Sequence, residues 1–148
     1  MELKSLLVDS KTTWVEFPGL DGFEVELANL SRKELVNLRK RCTTNKFNRK
    51  TRGFEETLDE EKFVKEFSES TVKGWKGFKL AYLEDLLLVD LTGKDPEVLM
   101  DYTLENAQLL VENSSEFDNW LNEVVFDLEN FRSGQPNKDT GQVNNIPE

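Results

Sequence analysis

Residues 71–78 read TVKGWKGF, a stretch that places a tryptophan between two glycines. The 148-residue chain has only three tryptophans and eight glycines. Because glycine loses more conformational freedom on folding than any other residue, two glycines beside a large aromatic residue indicate a backbone shape that other residues do not adopt. We therefore expect a joint here, at which Gly74 and Gly77 let two helices approach each other at a bend.

The composition excludes most of the residue combinations that enzymes commonly use for catalysis. The chain has no histidine, and its only thiol is Cys42, so histidine general bases, Cys-His pairs and zinc clusters are excluded. Neighbouring carboxylates such as Glu84 and Asp85 lie in segments whose other side is apolar, which favours a solvated helix face over an acid-base site. The sequence predicts a non-enzymatic protein with no catalytic residue, no metal site and no cofactor.

The length and the cysteine content indicate the kind of protein to expect. A chain of this length fits one domain, in which about 68–70% of the unfolded surface becomes buried. A lone cysteine fits a reducing compartment. The apolar run at residues 6–8 is too short for a signal peptide, and no segment approaches the length of a membrane span. We expect a soluble cytosolic protein without membrane contact.

The first thirty residues have the pattern of a β-hairpin. Residues 13–17 and 23–27 form the strands, and residues 18–22 (PGLDG) form the turn. The second strand alternates between polar and apolar residues, and its predicted core side chains are Phe23, Val25 and Leu27.

Two helices are predicted next, separated by a polar stretch. Ser31 and Glu34 have the spacing of a capping box and start a helix that runs to about Cys42. Residues 43–53 show no apolar period and are predicted to form a loop or a disordered arm. The second helix begins near Asp59.

The second half of the chain is predicted to be helical. Residues 78–91 are rich in leucine and indicate a helix buried on most sides. Thr103 caps a short helix, and Ser114 caps a last helix over residues 116–131. The apolar face of that last helix consists of Phe117, Trp120, Leu121, Val124, Leu128 and Phe131.

These elements predict an α+β fold that is mostly α. An N-terminal β-hairpin in residues 1–30 packs on a bundle of four or five helices in residues 31–132, and the two form one globular domain. Residues 133–148 have almost nothing to bury and are predicted to form a flexible tail.

The net charge of −10 is unevenly distributed. Residues 31–53 contain nine basic residues and one acid, a net charge of +8, whereas residues 102–131 contain seven acids and no basic residue, a net charge of −7. Three interpretations of the basic segment remain open: a solvated surface, a nucleic-acid site, or docking onto an acidic protein surface, including that of a second copy in a homo-oligomer. The candidate partner-binding residues are Arg39, Lys40, Arg41, Arg49 and Lys50.

Nucleic acid is the less favoured partner of that segment. Phe47 is its only aromatic residue, and the rest of the chain, at −18, would repel a polyanion. The acidic segment suggests a second hypothesis, that the protein mimics DNA and binds a DNA-binding protein. The basic segment, with its net charge of +8, disfavours this hypothesis. A nucleic-acid-binding or DNA-mimic regulator is retained as the alternative function.

The order of the segments resembles that of tail assembly chaperones of long-tailed, siphovirus-type bacteriophages. The resemblance covers roughly residues 10–132 and departs from the family pattern between Gly77 and Tyr102, where a long leucine-rich segment stands in place of a short connection. The matching pieces are residues 18–19 (PG), 22–27 (GFEVEL), the capped basic helix 30–42, 72–77 (VKGWKG), 102–106 (YTLEN), 109–110 (LL) and the closing amphipathic helix.

The resemblance implies a chaperone that binds the tape-measure protein and recruits tail-tube protein around it. Such a chaperone acts in the host cytoplasm and is absent from the mature virion. Two interpretations of TVKGWKGF follow. Trp75 is either a core anchor, or it lines, with Phe78, an apolar groove that takes an amphipathic helix of the client.

Overall fold

The computed structural model describes residues 1–8 and 11–134, and this part of the chain is an α+β protein, as predicted. Its strands are β1 (Thr12–Glu16), β2 (Glu24–Ala28), β3 (Thr43–Asn48), β4 (Gly53–Leu58) and β5 (Val72–Lys76). Its helices are α1 (Arg32–Arg41), α2 (Glu60–Thr71), α3 (Leu80–Leu86), α4 (Leu104–Asn113) and α5 (Ser115–Val125). Two short 3-10 helices span Leu3–Ser5 and Leu128–Gly134. From residue 135 onward, the predicted flexible tail lies outside the described residues.

The main sheet has the strand order β1-β2-β5, and both of its pairings are antiparallel. The predicted N-terminal hairpin is confirmed as β1 and β2, and the predicted core residues Phe23, directly before β2, and Val25 and Leu27, on β2, are fully buried. The predicted bend between two helices at residues 71–78 is wrong, because residues 72–76 form the third strand. A pattern that we interpreted as a helix joint is therefore an edge strand of the sheet.

A β-bulge explains why the sequence of β5 does not read as a strand. Glu26 pairs with Gly74 and Leu27 pairs with Val72, so Lys73 is an extra residue in the ladder. The bulge allows Val72 and Trp75, three residues apart, both to be buried. In a regular strand two residues at this spacing point to opposite faces, so the apolar spacing of β5 looks helical.

Gly77, directly after β5, lies against the backbone of the first hairpin turn. Its φ is +71°, and a Cβ atom at this position would lie 2.0 Å from the carbonyl oxygen of Gly22. Gly77 is therefore required for two reasons, the left-handed backbone conformation and the absence of a side chain. This contact fixes where the chain leaves the sheet.

The second sheet consists of β3 and β4, and it corrects the prediction of a loop at residues 43–53. Asn48 shapes the turn, since its side-chain oxygen accepts a hydrogen bond from the backbone N–H of Lys50 at 2.8 Å. Nearly every side chain of this hairpin is exposed. Because neither face is buried, the sequence has no reason to alternate between apolar and polar residues, and the strands are invisible to a search for that pattern.

The predicted helix starts are confirmed. The Ser31 hydroxyl accepts from the Glu34 N–H at 3.1 Å, and the Glu34 carboxylate accepts from the Ser31 N–H at 2.9 Å. The side chains of Asp59, Thr103 and Ser114 cap α2, α4 and α5 by accepting a hydrogen bond from a backbone N–H in the first turn, without the reciprocal bond of the capping box.

The leucine-rich helix predicted over residues 78–91 is wrong in extent. The helix α3 is only seven residues long, and Leu88 is fully exposed. Residues 98–100 pair with the chain at the start of α3, through bonds from the Leu80 N–H to the Val98 carbonyl at 2.8 Å and from the Met100 N–H to the Phe78 carbonyl at 2.7 Å. The region therefore folds back on itself instead of extending the helix.

The last predicted helix is also shorter than expected. The helix α5 ends at Val125, and Leu128 is exposed, not part of the apolar face. The side-chain amide of Asn130 donates to the carbonyl of Val124 at 3.1 Å, which satisfies one of the free carbonyl groups at the helix end. Phe131 is still buried, through the 3-10 helix that follows.

Replacing Gly77 with alanine should destabilise the protein strongly. A left-handed residue other than glycine costs about 1–2 kcal/mol, and the clash with Gly22 adds to this. Gly93→Ala is the matched control, because Gly93 has a φ of +77° but nothing within 4 Å of the added methyl. Urea unfolding should show a clearly larger loss for Gly77→Ala than for Gly93→Ala. Equal losses would show that the backbone contact has no energetic role.

Candidate functional site

Trp75 and Phe78 lie where β5 leads into α3, and both side chains are buried. The indole Nε1 of Trp75 donates a hydrogen bond to the carbonyl of Met100 at 2.9 Å. Phe78 stacks on Phe23 with ring centroids 4.1 Å apart, and Trp75 meets Phe78 edge to face at 5.1 Å. These contacts anchor the connection between the sheet and the helices in the core.

Tyr102 closes the aromatic cluster on the far side of Trp75. The two ring centroids are 5.2 Å apart, and the hydroxyl of Tyr102 donates to the carbonyl of Val72 at 2.7 Å. Burial raises the pKa of Tyr102, so its hydroxyl keeps the proton that it donates in this bond. The indole and the phenol therefore tie residues 100–102 to β5.

The rings of Trp75 and Phe78 also line a cleft that opens to the surface between α3 and α4. The cleft has a volume of about 150 Å³. An apolar cavity of about 150 Å³ in another protein binds one benzene ring, so this cleft accommodates one side chain of leucine or phenylalanine size. Its lining residues are Trp75, Phe78, Leu83, Leu87, Met100, Asn106, Leu109 and Leu110.

The lining of this cleft is almost entirely apolar. Its one amide side chain, Asn106, already donates to the carbonyl of Asp101 at 3.1 Å. Leu109, one of the lining residues, is 46% exposed and extends the apolar surface outward from the cleft. An apolar pocket with an exposed apolar side chain at its edge is typical of a surface that binds a partner.

A larger cleft of about 420 Å³ lies between the N-terminal segment and the last 3-10 helix, where Leu7, Leu128 and Phe131 are among its lining residues.

The predicted basic residues lie elsewhere in the fold. Arg39, Lys40 and Arg41 are exposed in the last turn of α1, and Arg49 and Lys50 are exposed in the turn between β3 and β4. None of the five lines the cleft at Trp75. The predicted site residues thus fall on two separate surfaces, an apolar cleft and a basic region.

Two of these basic groups are already engaged within the chain. Arg41 forms an ion pair with Glu66 at 2.9 Å, and the guanidinium of Arg39 lies 5.8 Å from the ring centroid of Phe63. In the described residues, no ion pair joins residues 31–53 to residues 102–131. The opposite charges of these two segments are thus not neutralised by each other, and a homo-oligomer held by them stays a prediction.

The structure adds one aromatic residue that the sequence analysis did not connect to the basic segment. Phe54 on β4 pairs with Phe47 on β3, with ring centroids 5.6 Å apart. The two side chains are 74% and 56% exposed. Phe54 lies one residue beyond the basic segment, so only the strand pairing reveals that the two rings are neighbours.

Other chemical groups in the described residues offer no reactive constellation. No three side chains of His, Cys, Asp or Glu in this part of the chain are placed to hold a metal ion. Burial raises the pKa of the Cys42 thiol, which disfavours the reactive thiolate. No described helix combines the length and the apolar content needed to cross a bilayer.

No protein-family model, curated protein or solved structure matches this chain. The resemblance to tail assembly chaperones therefore depends on the sequence segments alone.

Trp75→Ala should lower stability by about 3–5 kcal/mol, the usual cost of removing a buried tryptophan. The variant also leaves the Met100 carbonyl without its indole donor. Thermal unfolding measures the loss, with the exposed Phe54→Ala as a control that should change stability little. A Trp75→Ala variant that melts like the parent protein but no longer binds a partner would show that Trp75 serves recognition and not the core.

Proposed function

We propose that this protein is a non-enzymatic chaperone that binds an amphipathic helix of its client in the cleft between α3 and α4. The observation that supports the proposal is the open apolar cleft at Trp75 and Phe78, with the exposed Leu109 at its edge. A helix that docks in a groove inserts apolar residues spaced at i, i+3, i+4 and i+7. One such residue fills the cleft, and its neighbours cover Leu109.

The resemblance supplies the identity of the client. In this proposal the helix belongs to the tape-measure protein of a long-tailed phage, and the complex recruits tail-tube protein in the host cytoplasm. A very long helical protein needs its apolar faces covered before assembly, and a small chaperone with an apolar cleft performs that task without chemistry. The proposal includes the arrangement expected from the sequence, an N-terminal hairpin packed on four or five helices, with the hairpin extended here by β5.

Leu109→Gln should weaken binding of tape-measure fragments at least about tenfold, because it places an amide where an apolar contact forms. Val36→Gln is the matched control, since Val36 is 41% exposed in the middle of α1, close to the 46% of Leu109 in α4. Both variants should fold like the parent protein by circular dichroism. Calorimetric titration with fragments of the tape-measure protein measures the affinity. Unchanged affinity in Leu109→Gln would exclude the cleft as the client site.

The second candidate function is nucleic-acid binding, and the exposed Phe47–Phe54 pair is the observation that favours it. Bases of single strands stack on aromatic side chains beside basic residues. The hairpin also carries Glu55 and Glu56, which oppose a polyanion on the same element.

We expect duplex DNA to bind no tighter than roughly 10⁻⁴ to 10⁻⁶ M at physiological salt, which is the nonspecific range. Fluorescence anisotropy with labelled duplex and single-stranded DNA measures this, and the variant with Arg39, Lys40, Arg41, Arg49 and Lys50 changed to glutamine is the comparison. Sub-micromolar affinity that falls steeply with salt and disappears in this variant would favour the nucleic-acid function over the chaperone.

A further inference from the structure

We infer that the cleft at Trp75 selects a basic amphipathic helix, an inference that rests on the proposed function and specifies the chemistry of its partner. The sequence has no lysine or arginine between Lys94 and Arg132. This part of the chain supplies α4 and the segment at Met100, which together form one wall of the cleft. A helix that docks there meets acidic residues and no basic ones from this wall.

Three exposed carboxylates lie next to the apolar lining. Glu105 and Glu112 are four residues before and three residues after Leu109 on α4, so both are its neighbours on the helix surface. Asp101 directly follows Met100. In the described part of the chain, none of these three carboxylates takes part in an ion pair.

Helix stability explains only one of the two glutamates on α4. Glu105 lies in the first turn, where a negative charge is favourable to the helix dipole. Glu112 lies in the last turn, where a negative charge is unfavourable, and no intramolecular cation compensates for it in the described residues. A cation supplied by a bound partner would remove this penalty.

The opposite side of the cleft contains a basic residue that is already engaged. Lys79, just before α3, forms an ion pair with Glu97 at 3.1 Å, and a hydrogen bond to Glu97 raises the pKa of Lys79. Glu84 on α3 is exposed but lines a separate cleft with Val89 and Pro96. The negative charge beside the cleft at Trp75 therefore comes from the α4 side.

These charges favour a particular pattern in the partner helix. Its apolar face contacts the cleft and Leu109, and lysines or arginines at the edge of that face reach the carboxylates with their long side chains. Exposed charges of this kind contribute more to specificity and association rate than to affinity. Because each exposed ion pair contributes little, three of them amount to about a tenfold preference.

Two synthetic helices test the inference on the full chain. They share one leucine face, and the polar face contains lysine in one and glutamate in the other. Calorimetric titration at low salt should show the lysine helix binding about tenfold tighter, and this ratio should shrink towards one at 1 M salt, where the Debye length is about 3 Å. Binding of both helices with equal affinity at low salt would overturn the charge selection but leave the apolar cleft as the client site. Binding of neither helix would overturn the proposed function itself.

A pair of matched variants tests whether the carboxylates on α4 cause the preference for the lysine helix. Glu105→Gln/Glu112→Gln should reduce the preference for the lysine helix severalfold and leave the affinity for the glutamate helix the same or higher. Glu116→Gln/Glu123→Gln removes the same charge from α5, where these residues line a different cleft beside Trp120. If the α5 variant reduces the preference as much as the α4 variant does, net charge and not the rim of the cleft is responsible, and the assignment fails.

The basic helix of a second copy is the other occupant that these experiments detect. The helix α1 carries exposed basic residues and exposed Val36. If it fills the cleft, the protein alone sediments as an oligomer that the lysine helix dissociates. That result would overturn a separate client helix as the ligand of this cleft.

Discussion

The contact between Gly77 and the carbonyl oxygen of Gly22 determines how the sheet and the helices meet. It brings the exit of β5 against the turn between β1 and β2 with no side chain in between. The next residue, Phe78, then stacks on Phe23, the residue after Gly22, at 4.1 Å. Two glycines thus position two phenylalanines, and these rings connect the sheet to the segment that starts α3.

This arrangement also determines the shape of the cleft. Its floor consists of Trp75 and Phe78, which are buried in the core. The carbonyl of Met100 accepts a hydrogen bond from the Trp75 indole, and the N–H of Met100 donates to the carbonyl of Phe78. The walls are therefore fixed before any partner arrives, and a preformed site spends less free energy on ordering when it binds. Trp75 and Phe78 belong both to the cleft and to the core, so a substitution of either residue that changes partner binding also changes the stability of the fold.

The sequence predicted the elements whose signals are local. The capping box at Ser31, the caps at Thr103 and Ser114 and the alternation of β2 depend on neighbouring residues, and the structure confirms each of them. It failed at residues 43–58, whose two strands pair in the open, so burial produced no alternation of polar and apolar residues. It also missed the pairing of residues 98–100 with residues 78–80, because these partners are distant in sequence.

The candidate site was predicted in part for the same reason. Trp75 and Phe78 were recognisable because they lie in one unusual stretch, and both the core and the cleft interpretations apply to them. The opposite wall, formed by Leu109 and Leu110 on α4, is about thirty residues away in sequence. Only the fold shows that the two segments face each other across one opening.

The bulge at Lys73 and the connection after α3 are two places where the chain can change length without moving the indole of Trp75. Removing Lys73 would restore a regular ladder and keep Val72 and Trp75 on the core face, because residues two apart in a regular strand point to the same side. The irregular connection between Leu87 and Tyr102 is mostly exposed, so single insertions between residues 91 and 95 would leave the ladder intact. Natural length variation in related chains should therefore accumulate in that connection and be limited in β5 to loss of the bulged residue.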